Sequence, residues 1–447
     1  MSAVYDLKYR APSTLSSTDD GAVLALSANV AGGSEGPFFQ GQFRNARLLA
    51  RALGVLARVV GERWFDAQAV ARSRQMDPVV TAGAGHLRFE GFSGCRSIYA
   101  RVDVLPEGMD IVREERGTTN VDFNEPMRRA LGRVRSGQDL SVCVSQDEFI
   151  LVRGDESVVE KKVKLPLSWI KGFASVQALT LGFEEVLTLD AAKARRLLSQ
   201  VPSVGKGRDT HWLLPDPRTP RISRLQSIGA IQLTGGRRLS ALQELLPFAQ
   251  SLTIHASGNG SMSFWTLSFE GFRLGLMLSP EVWRGFSGEG AALEDLAQLV
   301  DKEDQVLSRL ADLGSVDPDE LAIQCGITLP ALRGVLARQA AQGLVGYDQI
   351  SGLCYERILP GSAQLMDDSN PRLVSARKLL ENECVTILLA DKDTVRAKVD
   401  AGEGKVYDVA LDHGQCRCSC YWYGKFRESR GPCSHVLAVK LAVKQID

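Results

Sequence analysis

The sequence lacks several features that would indicate a membrane, secreted or enzymatic protein. No hydrophobic run reaches about 18 residues, so we expect no transmembrane helix and no membrane partner. The first residues, MSAVYDLKYRAPST, have no apolar core, and this predicts no signal peptide. The motifs GxxxxGKS/T and HExxH are both absent, so the chain is expected not to be an enzyme.

Excess charge is also absent, because 53 Lys and Arg residues balance 53 Asp and Glu residues. Only local patches can therefore indicate an anionic partner. Hydrophobic residues make up 44% of the chain and charged residues 24%, which is typical of globular proteins. A length of 447 residues predicts two to four domains.

Cysteine is sparse outside one short stretch. Five of the nine cysteines are scattered singly along the chain, at positions 95, 143, 325, 354 and 384, and the other four lie between Cys416 and Cys433. A disulfide scaffold would distribute paired cysteines through a small secreted chain. This distribution instead indicates one metal site in a reducing compartment, and we expect a cytoplasmic protein.

The N-terminal segment, residues 1–80, is predicted to be extended and then helical. Residues 1–40 show little periodicity, and Gln42–Val60 is predicted to be a helix. Its apolar residues recur at helical spacing, at Leu49, Leu53, Leu56 and Val60. Four arginines occupy another face, Arg44, Arg47, Arg51 and Arg58. That face is either a solvated helix surface or a surface for an anionic partner.

Residues 81–290 are predicted to be a duplicated α+β region, in which each copy has the order βαβββ. In the first half of this region, strands are predicted at Leu87–Phe92, Ser97–Leu105 and Met109–Glu115. A helix at Glu125–Val134 and three further strands come next, at Leu140–Val144, Phe149–Arg153 and Val158–Leu165. The second copy has a strand at Ala230–Thr234, a helix at Leu239–Ala249 and strands at Leu252–Ala256, Ser263–Phe269 and Phe272–Leu278.

Both copies end in Trp, a basic residue, Gly and Phe. Trp169 and Phe173 would then be equivalent to Trp283 and Phe286, and all four are expected to be core residues. One copy alone buries little surface, whereas two copies packed together share a core.

Residues 291–362 are predicted to be winged-helix-like. Helices at Leu293–Leu313, before Gly326, and from Thr328 to Gln342 precede a hairpin of Val345–Tyr347 and Leu353–Arg357. Residues 291–360 contain five basic and eleven acidic residues, a balance of −6, and the recognition helix offers only Arg333 and Arg338. Phosphate repels such a surface, so packing or protein interaction is favoured over DNA binding.

Residues 363–447 contain the most specific pattern. A hairpin of Val395–Val399 and Val406–Leu411 leads to two overlapping Cys-x-Cys pairs, formed by Cys416, Cys418 and Cys420. Twelve residues separate Cys420 from Cys433-Ser-His435, and the apolar run that follows His435 predicts a helix. Three thiolates and one imidazole form a closed tetrahedral Zn²⁺ site, which predicts a structural ion.

This ordered pattern resembles the SWIM zinc finger. In that resemblance Trp422 takes the aromatic position after the second cysteine, which selects Cys418, Cys420, Cys433 and His435 as the metal ligands. Cys416 would be a spare thiol and His413 a bystander. More broadly, the chain resembles bacterial SWIM proteins that occur with a MoxR-type AAA+ ATPase and a von Willebrand A-domain protein.

The predicted elements together indicate a multidomain α+β protein. The resemblance implies an adaptor that binds DNA, RNA or a protein. A regulatory subunit of the MoxR-type ATPase and von Willebrand A-domain system is the alternative. The segment from His413 to Gln445 contains six basic residues and one acidic residue, a balance of +5. Trp422, Lys425, Arg427 and Arg430 are the expected nucleic-acid contacts, unless Trp422 belongs to the core of the finger.

Overall fold

The computed structural model describes residues 4–7, 14–18, 21–26, 37–61, 78–83, 85–120, 128–129, 131–137, 140–145, 163–201, 209–280, 286, 302–359, 371–391, 394–402, 404–412, 415–426 and 432–444. The chain divides into two compact units. Unit 1 comprises residues 1–172, 182–287 and 357–360, and unit 2 comprises residues 173–181, 288–356 and 361–447.

Unit 1 is mostly β-structure. Its strands are β1 Val4–Leu7, β2 Thr14–Thr18, β3 Gly21–Leu26, β4 Pro37–Phe43, β5 Val79–Gly83, β6 His86–Phe92, β7 Ile98–Val104, β8 Met109–Glu114, β9 Gly117–Asn120, β10 Leu140–Ser145, β11 Val163–Pro166, β12 Phe183–Asp190, β13 Thr210–Leu214, β14 Arg221–Ser223, β15 Ile231–Thr234, β16 Ser251–Ser257, β17 Ser263–Phe269 and β18 Phe272–Leu278. Its helices are α1 Ala46–Gly61, the first residues of α2 Leu167–Thr180, α3 Ala191–Ser199 and α4 Ser240–Gln243.

The largest sheet has eight strands in the order β12-β16-β17-β18-β7-β6-β5-β9. Every neighbouring pair in it is antiparallel. At its centre β18 pairs with β7, from Phe272 opposite Val104 to Leu278 opposite Ile98. Three smaller sheets have the orders β2-β3-β10-β4-β8, β14-β13-β15 and β1-β11.

Helix α1 packs against β6 and β7 through its apolar face. Leu49, Leu53, Leu56 and Val60 are all buried, as their spacing predicts. A Cβ atom at Gly91 of β6 would lie 2.6 Å from Cγ2 of Val60, so the helix approaches the strand closely where a side chain is missing. The helix begins four residues later than predicted, because β4 continues to Phe43 and pairs with both β8 and β10.

The opposite face of β6 and β7 carries charged residues that are nonetheless buried. Arg88 and Arg101 both form ion pairs with Asp103. Glu90 receives a hydrogen bond from the Tyr99 hydroxyl and forms an ion pair with Arg357, whose side chain is 0% exposed. Buried charges are tolerated when each has a partner of opposite sign.

The predicted duplication is not confirmed. Strand β10 pairs in parallel with β3 and antiparallel with β4, whereas its supposed equivalent, β16, lies between β12 and β17. Similar local patterns therefore occur in strands with different neighbours, since sequence periodicity does not specify the pairing partner. Phe173 and Phe286 are buried as expected. Four of the predicted features lie outside the described residues: the Trp169 side chain, Trp283, the strand at Phe149–Arg153 and most of the helix at Glu125–Val134.

The predicted helix at Leu239–Ala249 is wrong. A 3₁₀ turn at Gly236–Leu239, the four-residue α4 and a second 3₁₀ turn at Leu246–Phe248 replace it. Pro247 has no backbone N–H and disfavours a helical conformation in the residue before it, so one continuous helix cannot form. Residues 1–40, predicted to be extended or loop-like, contribute the four strands β1 to β4.

The first part of unit 2 follows the element order that the sequence predicts. Its elements are α5 Glu303–Leu313, β19 Ser315–Val316, α6 Pro318–Cys325, α7 Leu329–Ala341, β20 Val345–Asp348 and β21 Leu353–Glu356. The three strands form a sheet in the order β19-β21-β20. Asp317 and Thr328 cap α6 and α7 by accepting backbone hydrogen bonds. Gly326 ends α6 in the left-handed conformation, with a φ of 61°.

The second part of unit 2 contains α8 Pro371–Glu381, β22 Val385–Ala390, β23 Thr394–Asp400, β24 Val406–Asp412, β25 Gln415–Cys418, α9 Tyr421–Phe426 and α10 Ser434–Lys444. Its four strands form an antiparallel sheet in sequence order. The predicted hairpin and the helix after His435 are both present. Among the described residues, no single helix has the length and apolar composition of a membrane span; α6 and α7 meet that test only jointly, across a bend of 106°.

Removing the buried partner of Glu90 should destabilise unit 1. We expect Arg357→Met to lower the free energy of unfolding by about 3–5 kcal/mol, because it leaves a buried carboxylate without its cation. Urea-induced unfolding measures this change. The matched control is Arg113→Met, which removes the partner of Glu115 where both side chains are 42–44% exposed. That loss should be about 0–1 kcal/mol, and equal losses in the two variants would contradict the assignment.

Candidate metal centre

The first cysteines of the candidate site lie on strand β25. In the register with β24, Cys416 lies opposite Leu411 and Cys418 opposite Val409. Alternate residues of a strand share one face, so these two cysteines are on the same side of the sheet, and both are buried. The spacing alone therefore does not decide which of them contributes a ligand.

The turn after β25 positions Cys420. The backbone N–H of Ser419 donates to the carbonyl oxygen of Asp408 at 3.0 Å, and the Asp408 N–H donates to Oγ of Ser419 at 2.9 Å. Both contacts hold the turn to β24. At the start of α9, the Tyr423 N–H donates to Sγ of Cys420 at 3.4 Å.

Cys433 and His435 lie at the N-terminus of α10. The Leu437 N–H donates to the Cys433 carbonyl oxygen at 3.0 Å, and the Val436 N–H points to Sγ of Cys433 at 3.5 Å. Cys433 thus caps the helix with its sulfur, in the manner of an N-cap oxygen. The partial positive charge at a helix N-terminus favours a thiolate there.

Four ligand atoms converge between the turn and the helix. One donor atom each from Cys418, Cys420, Cys433 and His435 lies within 4.8 Å of the others. Sγ of Cys418 is 3.8 Å from Nδ1 of His435. Two sulfurs bound to one tetrahedral zinc ion are about 3.8 Å apart when each Zn–S bond is about 2.3 Å, so the cluster has the dimensions of a single metal site.

The protonation of these thiols depends on one another. A hydrogen bond from the Cys418 thiol, followed by contacts with His435 and the Val436 N–H, lowers the pKa of Cys433. The same contact with Cys433, together with burial, raises the pKa of Cys418, and burial raises the pKa of Cys420. Only one thiolate is thus readily formed without a cation. A divalent ion would offset the repulsion among three buried thiolates, and a soft one such as Zn²⁺ prefers this donor set.

Aromatic and basic residues surround the cluster. The Tyr407 ring lies 4.4 Å from the His435 ring, centroid to centroid. Arg372 of α8 donates to the Pro432 carbonyl oxygen at 2.9 Å and stacks 4.9 Å above the Trp422 ring. Trp422 is partly buried and packs against the cysteine-containing core of the finger. These contacts favour the interpretation of Trp422 as a core residue.

The predicted nucleic-acid contacts are only partly described. Lys425 is exposed, and its Nζ lies 5.6 Å from the ring of Tyr421. Arg427, Arg430 and His413 lie outside the described residues. The positions of Arg372, Tyr407 and Tyr421 around the site were not predicted from the sequence. No local pattern identifies the first two, whereas Tyr421, beside Trp422 in the sequence, could have been considered.

A family model matches the C-terminal part of the chain. Residues 407–444 match the family model described as SWIM zinc finger. No curated protein matches the chain.

Two solved structures are similar at low sequence identity. Proliferating Cellular Nuclear Antigen from Entamoeba histolytica is 11% identical, with a TM-score of 0.33, over 55% of this chain and 99% of that chain. The beta sliding clamp of C. crescentus is 10% identical, with a TM-score of 0.35, over 85% of this chain and 86% of that chain. Both TM-scores are below 0.5, so no property of either protein is transferred to this chain.

The C-terminal match and the site geometry agree with each other. The matched residues include all four members of the Cys and His cluster. Residues 407–444 therefore carry a SWIM zinc finger, a module that implies a metal ion, typically zinc, and the cluster could bind that ion.

Proposed function

We propose that this chain is a non-enzymatic adaptor whose finger binds structural zinc and presents a basic surface to nucleic acid. One observation carries the proposal: the four-ligand cluster organises a segment in which every charged residue of 415–426 and 432–444 is basic. A closed set of four protein ligands leaves no coordination position for a catalytic water. The zinc ion therefore stabilises the module and performs no reaction.

The exposed residues of α9 suit a nucleic-acid strand. Tyr421 is 78% exposed, and the Lys425 ammonium lies over its ring. An aromatic ring stacks on bases and an adjacent cation contacts phosphate, which together give binding with little sequence preference. Tyr421 takes the stacking position more readily than the partly buried Trp422. Arg417 adds a further exposed cation on β25.

The segment from α5 to β21 is proposed to be a winged helix that packs or binds protein. Its acidic balance opposes phosphate binding. On the candidate recognition helix, α7, Arg338 is buried and forms an ion pair with Glu303, which leaves Arg333 as the exposed arginine of that helix. A single exposed arginine on an acidic segment gives little attraction for DNA.

Zinc content tests the ligand assignment. We expect elemental analysis of the purified chain to find one zinc ion per chain, and Cys433→Ala or His435→Ala to lose it. Metal binding at a structural site contributes directly to folding, so both variants should also make residues 371–447 sensitive to protease. Cys416→Ser is the matched control, because Cys416 is a buried cysteine on the same face of the same strand as Cys418, and it should retain the metal. Loss of zinc in Cys416→Ser but not in Cys420→Ser would shift the ligand set by two residues.

Charge reversal tests the nucleic-acid surface. We expect the triple variant Lys425→Glu, Arg427→Glu and Arg430→Glu to weaken oligonucleotide binding and reduce its salt dependence, because phosphate contacts release counterions. Fluorescence anisotropy at several salt concentrations measures both effects. The control, Arg333→Glu on α7, should change affinity less.

A triple variant that binds as the parent does would leave the finger as a protein-binding module. The expected association with a MoxR-type ATPase and a von Willebrand A-domain protein stays a prediction based on resemblance. Capture of that ATPase by the tagged chain after nuclease treatment would support this alternative.

A further inference from the structure

A groove in unit 1 carries a second concentration of positive charge. We propose that this groove, formed along helix α1, binds the phosphodiester backbone of a single-stranded nucleic acid. It shares no residue with the zinc finger.

The groove has arginines on both walls. Its main cavity has a volume of about 1060 Å³. Arg47, Arg51 and Arg58 of α1 line one side, and the segment 128–136 contributes Arg128, Arg133 and Arg135. Glu244 is the only acidic residue among the described lining residues. Six guanidinium groups and one carboxylate among the described lining residues make this concave surface predominantly basic.

Two smaller cavities extend the groove along the helix. One, of about 380 Å³, shares Arg47, Arg51 and Ser136 with the main cavity and adds Arg44 and Phe248. The other, of about 140 Å³, shares Arg58 and Glu244 with the main cavity. The surface therefore follows α1 from Arg47 to Arg58, a rise of about 17 Å at about 1.5 Å per residue. This length accommodates a row of phosphates, whereas a single small anion would occupy only part of it.

Contacts within the groove fix the orientation of the arginines. The Glu244 carboxylate forms an ion pair with Arg58 and lies 3.7 Å from Nε of Arg51. Arg51 stacks 4.8 Å above the Phe248 ring, and Arg47 donates to Oγ of Ser136 at 2.8 Å. Arg44, beside the smaller cavity, is paired with Asp110. Orientation before binding reduces the entropy lost when a ligand is bound.

The chemistry of the lining favours nucleic acid over an acidic protein segment. Guanidinium groups donate paired hydrogen bonds to phosphate oxygens, and the wall from α1 is built from arginine without lysine. Phe248 is 48% exposed at the edge of the groove, although it is a large apolar residue. An exposed aromatic ring beside an arginine provides a surface on which a base can stack. An acidic peptide would form ion pairs with the arginines but has no base to stack on this ring.

Binding of a labelled single strand to the full chain tests the proposal. The groove variant Arg47→Gln, Arg133→Gln and Arg135→Gln removes three exposed guanidinium groups of the lining. The matched control Arg195→Gln, Arg218→Gln and Arg224→Gln removes three exposed arginines of unit 1 that do not line it. Fluorescence anisotropy with fluorescein-labelled oligothymidylate of about 20 nucleotides, from about 50 to 200 mM salt, measures affinity and salt dependence.

We expect the groove variant to lose affinity at least about tenfold and the slope of log K against log salt to fall by about 2, near 0.7 for each lost phosphate contact. The control should match the parent. Phe248→Ala should lower affinity about fivefold without changing the slope, because stacking releases no counterions. A groove variant that binds like the control would overturn the proposal.

The finger variant distinguishes this site from the proposed function. We expect the groove substitutions to lower the affinity by the same factor in the parent chain and in the chain that already carries Lys425→Glu, Arg427→Glu and Arg430→Glu. If the finger variant alone removes all binding, the groove proposal fails and the finger proposal stands. If polyglutamate displaces the strand at a lower concentration than unlabelled oligothymidylate does, the groove binds acidic protein, and the nucleic-acid assignment is overturned.

Discussion

The pairing of β7 with β18 is the contact on which the architecture of unit 1 depends. It joins strands that are far apart in the sequence, residues 98–104 and 272–278, into one eight-stranded sheet. Without it, β5, β6, β7 and β9 would form one small sheet and β12, β16, β17 and β18 another. The entropic cost of closing so long a loop grows only slowly with its length, and seven paired residues on strands buried on both faces offset it. The joined sheet supports α1 and therefore fixes the arginine-lined groove.

The finger is held together in a different way. Four of the ten buried residues in its main core cluster are cysteines, and the others are small aliphatic residues. Such a core removes little apolar surface from water, so the burial of hydrocarbon alone stabilises it weakly. A metal ion that links the end of β25 to the start of α10 would replace a larger hydrophobic core. The backbone hydrogen bonds of Ser419 and the capping of α10 by Cys433 help to orient its ligands.

Local features could be predicted from the sequence because their causes are local. The apolar spacing of α1, the helix end at Gly326, and the Cys and His motif all act within a few residues. Strand partners could not be predicted, and the duplication is not confirmed: β10 and β16 have similar sequences but different neighbours. Helices α2 and α3 were missed. The single helix predicted across Pro247 is wrong because proline has no backbone N–H to donate within a helix.

The distribution of charge, like strand pairing, can be predicted from the sequence only where the residues concerned are close together in the chain. The basic residues of the finger are close together in the sequence, so counting along the chain finds them. Those of the groove come from α1 and from residues 128–135, so the sequence shows one wall and only folding supplies the other. The acidic segment 291–360 offsets part of this positive charge in the total. A net charge of zero is therefore the sum of regions of opposite sign, and it gives no information about what each surface binds.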